Sequence, residues 1–139
     1  MKRKRKNPAA MRCPYCGSSV ILRSADGIYR ENTKGAMLYV CKRYPACDAY
    51  VRTHPGTSRP VGTLANRELR LLRREAHRYF DRLYLSGRMS KEQAYEWLAS
   101  LIQAPMSKAH IGYLGEYYCR QVIDASRAML ASCKGREAS

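Results

Sequence analysis

The hydrophobic pattern of the chain changes period once. In the first half the apolar residues come in short β-like runs: Val20, Ile21 and Leu22 within Ser19–Ser24, then Ile28–Asn32, Ala36–Val40 and Asp48–Thr53. Asp26–Gly27 separates the first two runs, and an Asp-Gly pair in that position predicts a hairpin. From Thr63 onward Ala65, Leu69, Leu72, Ala76, Phe80 and Leu83 step by three or four. That spacing predicts a helix of about 22 residues ending near Gly87. Ser90 and Gln93 match a capping box for a second helix, with Ala94, Trp97, Leu98, Leu101 and Ile102 as its buried stripe and Pro105 as its stop. A third helix begins within 112–116, carries Leu114, Tyr118, Val122, Ile123, Met129 and Leu130, and ends at Lys134–Gly135. The expected class is α+β, a short antiparallel sheet followed by a three-helix unit.

Boundaries follow from the breaks in this pattern. Residues 1–11 form a basic arm expected to be disordered, because Lys2, Arg3, Lys4, Arg5 and Lys6 repel one another and Pro8 blocks helix propagation. Residues 12–53 form the β-rich part. Residues 54–62 hold two prolines and two glycines and read as a linker. The helical unit then spans 63–134.

Six cysteines add the first chemistry. No hydrophobic segment follows the basic N-terminal stretch, so a secretory signal is not expected and the cysteines point to metal rather than disulfides. Cys13-Pro14-Tyr15-Cys16-Gly17 is a zinc knuckle: two intervening residues bring both thiolates to one ion, and Gly17 supplies the tight turn. The second pair, Cys41 and Cys47, is separated by five residues, with Pro45 available to fold the longer loop. Two cysteine pairs flanking a hairpin describe a zinc ribbon. Cys13, Cys16, Cys41 and Cys47 would close a tetrahedral site around one structural Zn²⁺; His54 is the alternative ligand to one of them. Some 40 residues without a large core need the metal for folding. Cys119 and Cys133, four turns apart on one predicted helix, cannot share an ion. Cys119 is expected in the helical core, and Cys133 near a helix end.

Charge changes the picture next. Lysine and arginine total 26 against 11 acidic residues, a formal +15. Residues 1–60 carry 13 basic and 3 acidic residues, a local excess of +10. Such a balance favours a polyanionic partner. No apolar run approaches membrane-spanning length, so a cytoplasmic protein without a membrane segment is expected. On the first predicted helix Arg67, Arg70, Arg74, Arg78 and Arg82 fall within an arc of roughly 120°, opposite the apolar stripe. The ribbon interleaves Tyr15, Tyr29, Tyr39, Tyr44 and Tyr50 with Arg12, Arg23, Arg30, Lys34, Lys42, Arg43 and Arg52. Rings among cations suit stacking on unpaired bases while charges hold phosphates. Lys42-Arg43-Tyr44 is the densest such cluster. The candidate nucleic-acid contacts are therefore Lys2–Lys6, Lys42, Arg43, Tyr44, Arg52, Arg67, Arg70, Arg74 and Arg78.

The pattern Cys-Pro-x-Cys-Gly, a hairpin, then Cys41-x5-Cys47 carrying Tyr44-Pro45 resembles the four-cysteine zinc ribbons at the C-terminus of bacterial type IA topoisomerases. That resemblance covers 12–51 and implies single-stranded DNA binding; the topoisomerase catalytic domain has no counterpart here. A longer stretch, 12–130, resembles the small zinc-finger-containing proteins of bacteriophages and prophages. It is carried by Pro60-Val61-Gly62-Thr63-Leu64-Ala65, Gly87-Arg88-Met89-Ser90, Tyr95-Glu96-Trp97-Leu98, His110-Ile111-Gly112 and Cys119-x2-Val122-Ile123. It implies a fold and carries no activity with it.

Catalysis is not expected. Gly27-Ile28-Tyr29 echoes the start of one nuclease motif, but its partner tyrosines and glutamate do not follow. Asp26, Glu31 and Asp48 are too few for a carboxylate metal centre. Two classes of function compete: a binding module for single-stranded DNA or RNA, and an adaptor that holds a host protein such as a polymerase. Salt separates them, because counterion release makes only the first steeply salt-dependent.

Overall fold

The computed structural model describes residues 11–138, with side chains to 132. It divides into two compact units, Met1–Arg67 and Glu68–Ser139.

The first unit is built on a three-stranded antiparallel sheet in the order β1 (Val20–Ser24), β2 (Met37–Cys41), β3 (Tyr50–Arg52). Register pairs Val20 with Cys41 and Leu22 with Tyr39, and on the other side Tyr39 with Val51. Alternation along the central strand sends successive side chains to opposite faces. Leu38 and Val40 join Ala25 on one face, with Tyr29, Tyr44 and Tyr50 packed against them. Tyr39 and Cys41 join Cys13, Val20, Ala49, Val51 and Leu64 on the other. Burial on both faces explains why β2 reads as a continuous apolar run rather than an alternating one.

Two sequence expectations change here. Ile28–Asn32 is not a strand. Asp26–Gly27 does turn the chain, with Gly27 at φ +86°, but β1 pairs across to Met37–Cys41 and leaves 25–36 as the hairpin loop. Asn32 fastens that loop: its Nδ2 donates to Asp26 Oδ1 at 2.8 Å, and its Oδ1 accepts from the Ala36 amide at 2.7 Å. Ile28 and Tyr29 thus contribute packing against Leu38 and Val40 rather than strand pairing. The second change concerns 54–62. This segment folds back on the sheet, with His54 N–H donating to Arg59 O at 2.9 Å, Val61 N–H to Arg52 O at 3.0 Å, and the Tyr39 hydroxyl to Ser58 O. Ala65 then exchanges two 3.1 Å backbone hydrogen bonds with Tyr50. The helical period of Ala65 is therefore accidental: Leu64 and Ala65 complete the ribbon, and the first helix starts only at Arg67.

The second unit holds α1 (Arg67–Leu85), α2 (Lys91–Ile102) and α3 (Glu116–Ala138). Buried Leu69, Arg73, Ala76, Phe80 and Leu83 form the inner stripe of α1. Arg73 stands where an apolar residue would be expected; its Nε donates to Leu114 O at 3.0 Å, so the buried cation has a partner. The capping box forms as the sequence indicates: Ser90 Oγ accepts from the Gln93 amide at 3.0 Å, and Gln93 Oε1 accepts from the Ser90 amide at 2.9 Å. Gln103, in the left-handed region at φ 56°, ends α2 ahead of Pro105. Two 3-10 turns, Met106–Lys108 and Ile111–Tyr113, lead to α3. Phe80 is the centre of the core, edge-on to Tyr95 at 5.0 Å and to Tyr84 at 6.0 Å and stacked with Trp97 at 6.4 Å. Cys119 is fully buried, as expected, and burial pushes its thiol up to about 11. The backbone of α3 runs through Gly135, whose helix-interior cost is only about 1 kcal/mol. The arm residues Lys2–Lys6 and the Cys133 side chain lie outside the described residues.

Candidate metal centre and charged surfaces

The antiparallel register of β1 and β2 delivers both cysteine pairs to one end of the sheet. Cys41 closes β2 opposite Val20, and the first knuckle lies just before β1, anchored by an Arg12–Ser19 bridge. Within that knuckle Gly17 N–H donates to Cys13 O at 2.9 Å, and Gly17 adopts φ +77°. The space around Gly17 is open, so it is the backbone angle rather than crowding that calls for glycine. The wider second knuckle closes with Tyr44 N–H on Cys41 O and Cys47 N–H on Arg43 O.

The four sulfurs of Cys13, Cys16, Cys41 and Cys47 all lie within 4.8 Å of one another. Cys13 Sγ is 3.6 Å from Cys47 Sγ, and Cys16 Sγ is 3.5 Å from Cys41 Sγ. A tetrahedron with Zn–S bonds of about 2.3 Å has sulfur–sulfur edges of about 3.8 Å. The donor set therefore fits one Zn²⁺ and fills all four of its positions. Each knuckle also aims an amide at its leading sulfur, Tyr15 N–H at Cys13 (3.4 Å) and Arg43 N–H at Cys41 (3.5 Å). These donors offset the negative charge that four thiolates bring to the ion. His54 is exposed and stands outside the cluster.

As thiols the four are not equivalent. The hydroxyl and amide of Ser18 hold Cys16 down to about 6, whereas burial pushes Cys41 up to about 12 and Cys47 upward as well. Metal binding at Cys41 thus displaces a proton.

The zinc-finger-containing domain model matches residues 9–129. The chain belongs to that family. No curated protein and no solved structure shows a significant match. The sulfur cluster gives the zinc-finger-containing domain its metal-binding centre, a site that is structural because no position is left for water or substrate.

The remaining candidate residues divide by exposure. In the ribbon unit Lys42, Arg43 and Arg52 are exposed. Tyr44 is half-buried, edge-on to Tyr50 at 6.4 Å, and Tyr50 is edge-on to Tyr29 at 6.4 Å, so three tyrosines form a row on the face away from the cysteines. Tyr39 is buried, and Tyr15 is exposed with its hydroxyl accepting from the Asn66 amide at 3.1 Å. Arg23 is committed to the hairpin loop, donating to Ser24 O and Asp26 O. On α1, Arg67, Arg74 and Arg78 are exposed and Arg70 is half-buried. Arg78 and Arg82 both lie over the Tyr79 ring, at 5.6 and 5.9 Å, and Arg127 of α3 reaches the same ring at 5.7 Å. Nothing in the sequence marks Arg127, which stands singly on α3; only helix packing brings it there. Among the described residues no helix is long and apolar enough to cross a membrane.

Proposed function

We propose that this chain is a non-catalytic, cytoplasmic nucleic-acid-binding protein that prefers single strands, DNA or RNA. The observation that carries the reading is the exposure of the cations picked out in the sequence: Lys42 and Arg43 beside the tyrosine row, and Arg67, Arg74 and Arg78 along α1. Exposed cations next to partly exposed rings supply phosphate contacts and stacking platforms together. The resemblance of the ribbon to those of type IA topoisomerases supports single strands as ligand. A closed four-thiolate site supports a structural rather than a catalytic role for the metal.

Two measurements test it. Arg74→Ala combined with Arg78→Ala should weaken binding of all sequences alike and lower the slope of log affinity against log salt by about 1 to 2 units, up to one for each arginine–phosphate pair removed. Affinity insensitive to salt would instead favour the adaptor reading. For stacking, Tyr44→Leu is the informative change, because leucine keeps apolar bulk against Tyr50 and Leu38 while removing the ring. With zinc content unchanged, single-strand affinity should fall about 5- to 150-fold and duplex affinity should hold. Equal losses on both, or none, would remove Tyr44 from the interface.

A further inference from the structure

The helical unit contains a cavity of about 540 Å³ between the second half of α1, the turn that follows it and the middle of α3. Arg82, Arg88 and Arg127 line it with Tyr79, and Leu85 and Leu130 supply an apolar wall. Among its lining residues there is no carboxylate. Asp81, the nearest acid in sequence, is engaged elsewhere, accepting from the Tyr84 hydroxyl at 3.0 Å and lying 3.6 Å from His77.

Three guanidiniums converging without a carboxylate repel one another, and that repulsion is relieved when an anion enters. The negative C-terminal end of α1 accounts for Arg82 in its last turn. It does not account for Arg127, which comes from another helix and is turned onto the same Tyr79 ring. Holding the guanidiniums over one ring pre-orients their donor forks, the arrangement that recognises phosphate oxygens in pairs. The cavity is also far larger than a phosphate ion and falls in the size range of small-ligand sites, roughly 300–1,000 Å³. Leu85, 73% exposed, is an unusually open leucine for a helix end, and it borders this space. A phosphate held by arginines, with a flat apolar group against Leu85 and Leu130, describes one nucleotide.

We propose that this cavity binds a phosphomonoester, namely the terminal phosphate of a nucleic-acid strand, with the end nucleotide against the apolar wall. A terminal phosphate carries up to two charges at neutral pH where an internal diester carries one, so three guanidiniums favour the end of a strand over its middle. The strand as the source of the phosphate rests on the nucleic-acid reading above; the phosphate site itself does not.

The zinc-loaded chain should be titrated with one short single strand bearing a 5′-phosphate, a 3′-phosphate or neither, and separately with adenosine monophosphate and adenosine. One phosphorylated end is expected to bind about 10-fold or more tightly than the hydroxyl-ended strand. Arg127→Ala should abolish that preference while leaving the hydroxyl-ended strand within about 2-fold, since losing one exposed arginine far from the other contacts costs little. Arg127→Lys should recover only part of it, because lysine keeps the charge without the fork. If no strand discriminates but the monophosphate binds better than adenosine in an Arg127-dependent way, the strand end is overturned and a free nucleotide is the ligand. If no strand binds at all, the nucleic-acid reading fails and the mononucleotide pair alone decides the cavity. Equal binding in both comparisons overturns the phosphate site, as does Arg127-dependent affinity for a glutamate-rich peptide without any phosphate preference.

Discussion

Removing zinc should unfold the ribbon unit and leave most of the helical signal. Metal analysis of the purified chain should return one zinc; zero or two would refute the four-cysteine site. The expected effect is large, because zinc binding supplies about 10–16 kcal/mol of folding free energy in isolated fingers. Here the metal side of the sheet has only Val20, Tyr39, Ala49, Val51 and Leu64 as buried packing besides two of the cysteines. A core that small does not offset the conformational entropy of more than 50 residues. Cys41→Ser is the severest single change: Cys41 is fully buried and ends the central strand, so its loss removes a ligand and a packing element together. All three long helices begin at Arg67 or later, so chelation should abolish hydrogen-exchange protection at Val20–Ser24 and Met37–Cys41 while circular dichroism at the helical minimum changes little. Loss of helix in proportion to zinc would show that the second unit depends on the first.

Phe80→Ala should destabilise the helical unit by about 3–5 kcal/mol, the range for emptying a buried aromatic position. Phe80 is fully buried and touches Tyr84, Tyr95 and Trp97. Its removal leaves three rings without their shared neighbour, and α1 and α2 are deprived of the ring that joins them. A 70-residue unit has about 5–10 kcal/mol in all, so the variant is expected to be partly unfolded near 37 °C. Zinc content should stay at one per chain. A thermal midpoint within a few degrees of the unaltered protein would mean that the rings close over the space, and the assignment of Phe80 as the core centre would fall.

How far the sequence reached depended on how local each constraint was. The zinc ligands were legible because a knuckle is set by the spacing of two thiols and a glycine, and that geometry needs nothing from elsewhere in the chain. The capping box of α2 was legible for the same reason: its donors and acceptors lie three residues apart. The α+β order followed from the change of period, which reports which face is buried without saying against what. The hairpin is where this failed. Asp26–Gly27 marked a turn correctly, but which segment β1 pairs with is decided by competition among distant segments. Met37–Cys41 wins because it buries side chains on both faces, whereas Ile28 and Tyr29 do better as packing for one of them. Ala65 shows the same limit, since its helical spacing carries no record of the hydrogen bonds it makes with Tyr50.

The charged residues divide in the same way. Composition determined that this chain favours polyanions, and helical spacing determined that Arg67, Arg70, Arg74 and Arg78 share a side of α1. Only the tertiary structure decided that Arg73, in the middle of that run, is buried on the Leu114 carbonyl. It alone decided that Tyr44 is half-covered by Tyr50, and that Arg127 meets Arg82 over Tyr79. Each of these joins residues from different elements. A periodic pattern specifies the direction of a side chain relative to its own helix or strand, and packing chooses its neighbour, because burying a ring or a cation is favourable only where the opposite surface has the matching shape and hydrogen-bond acceptors.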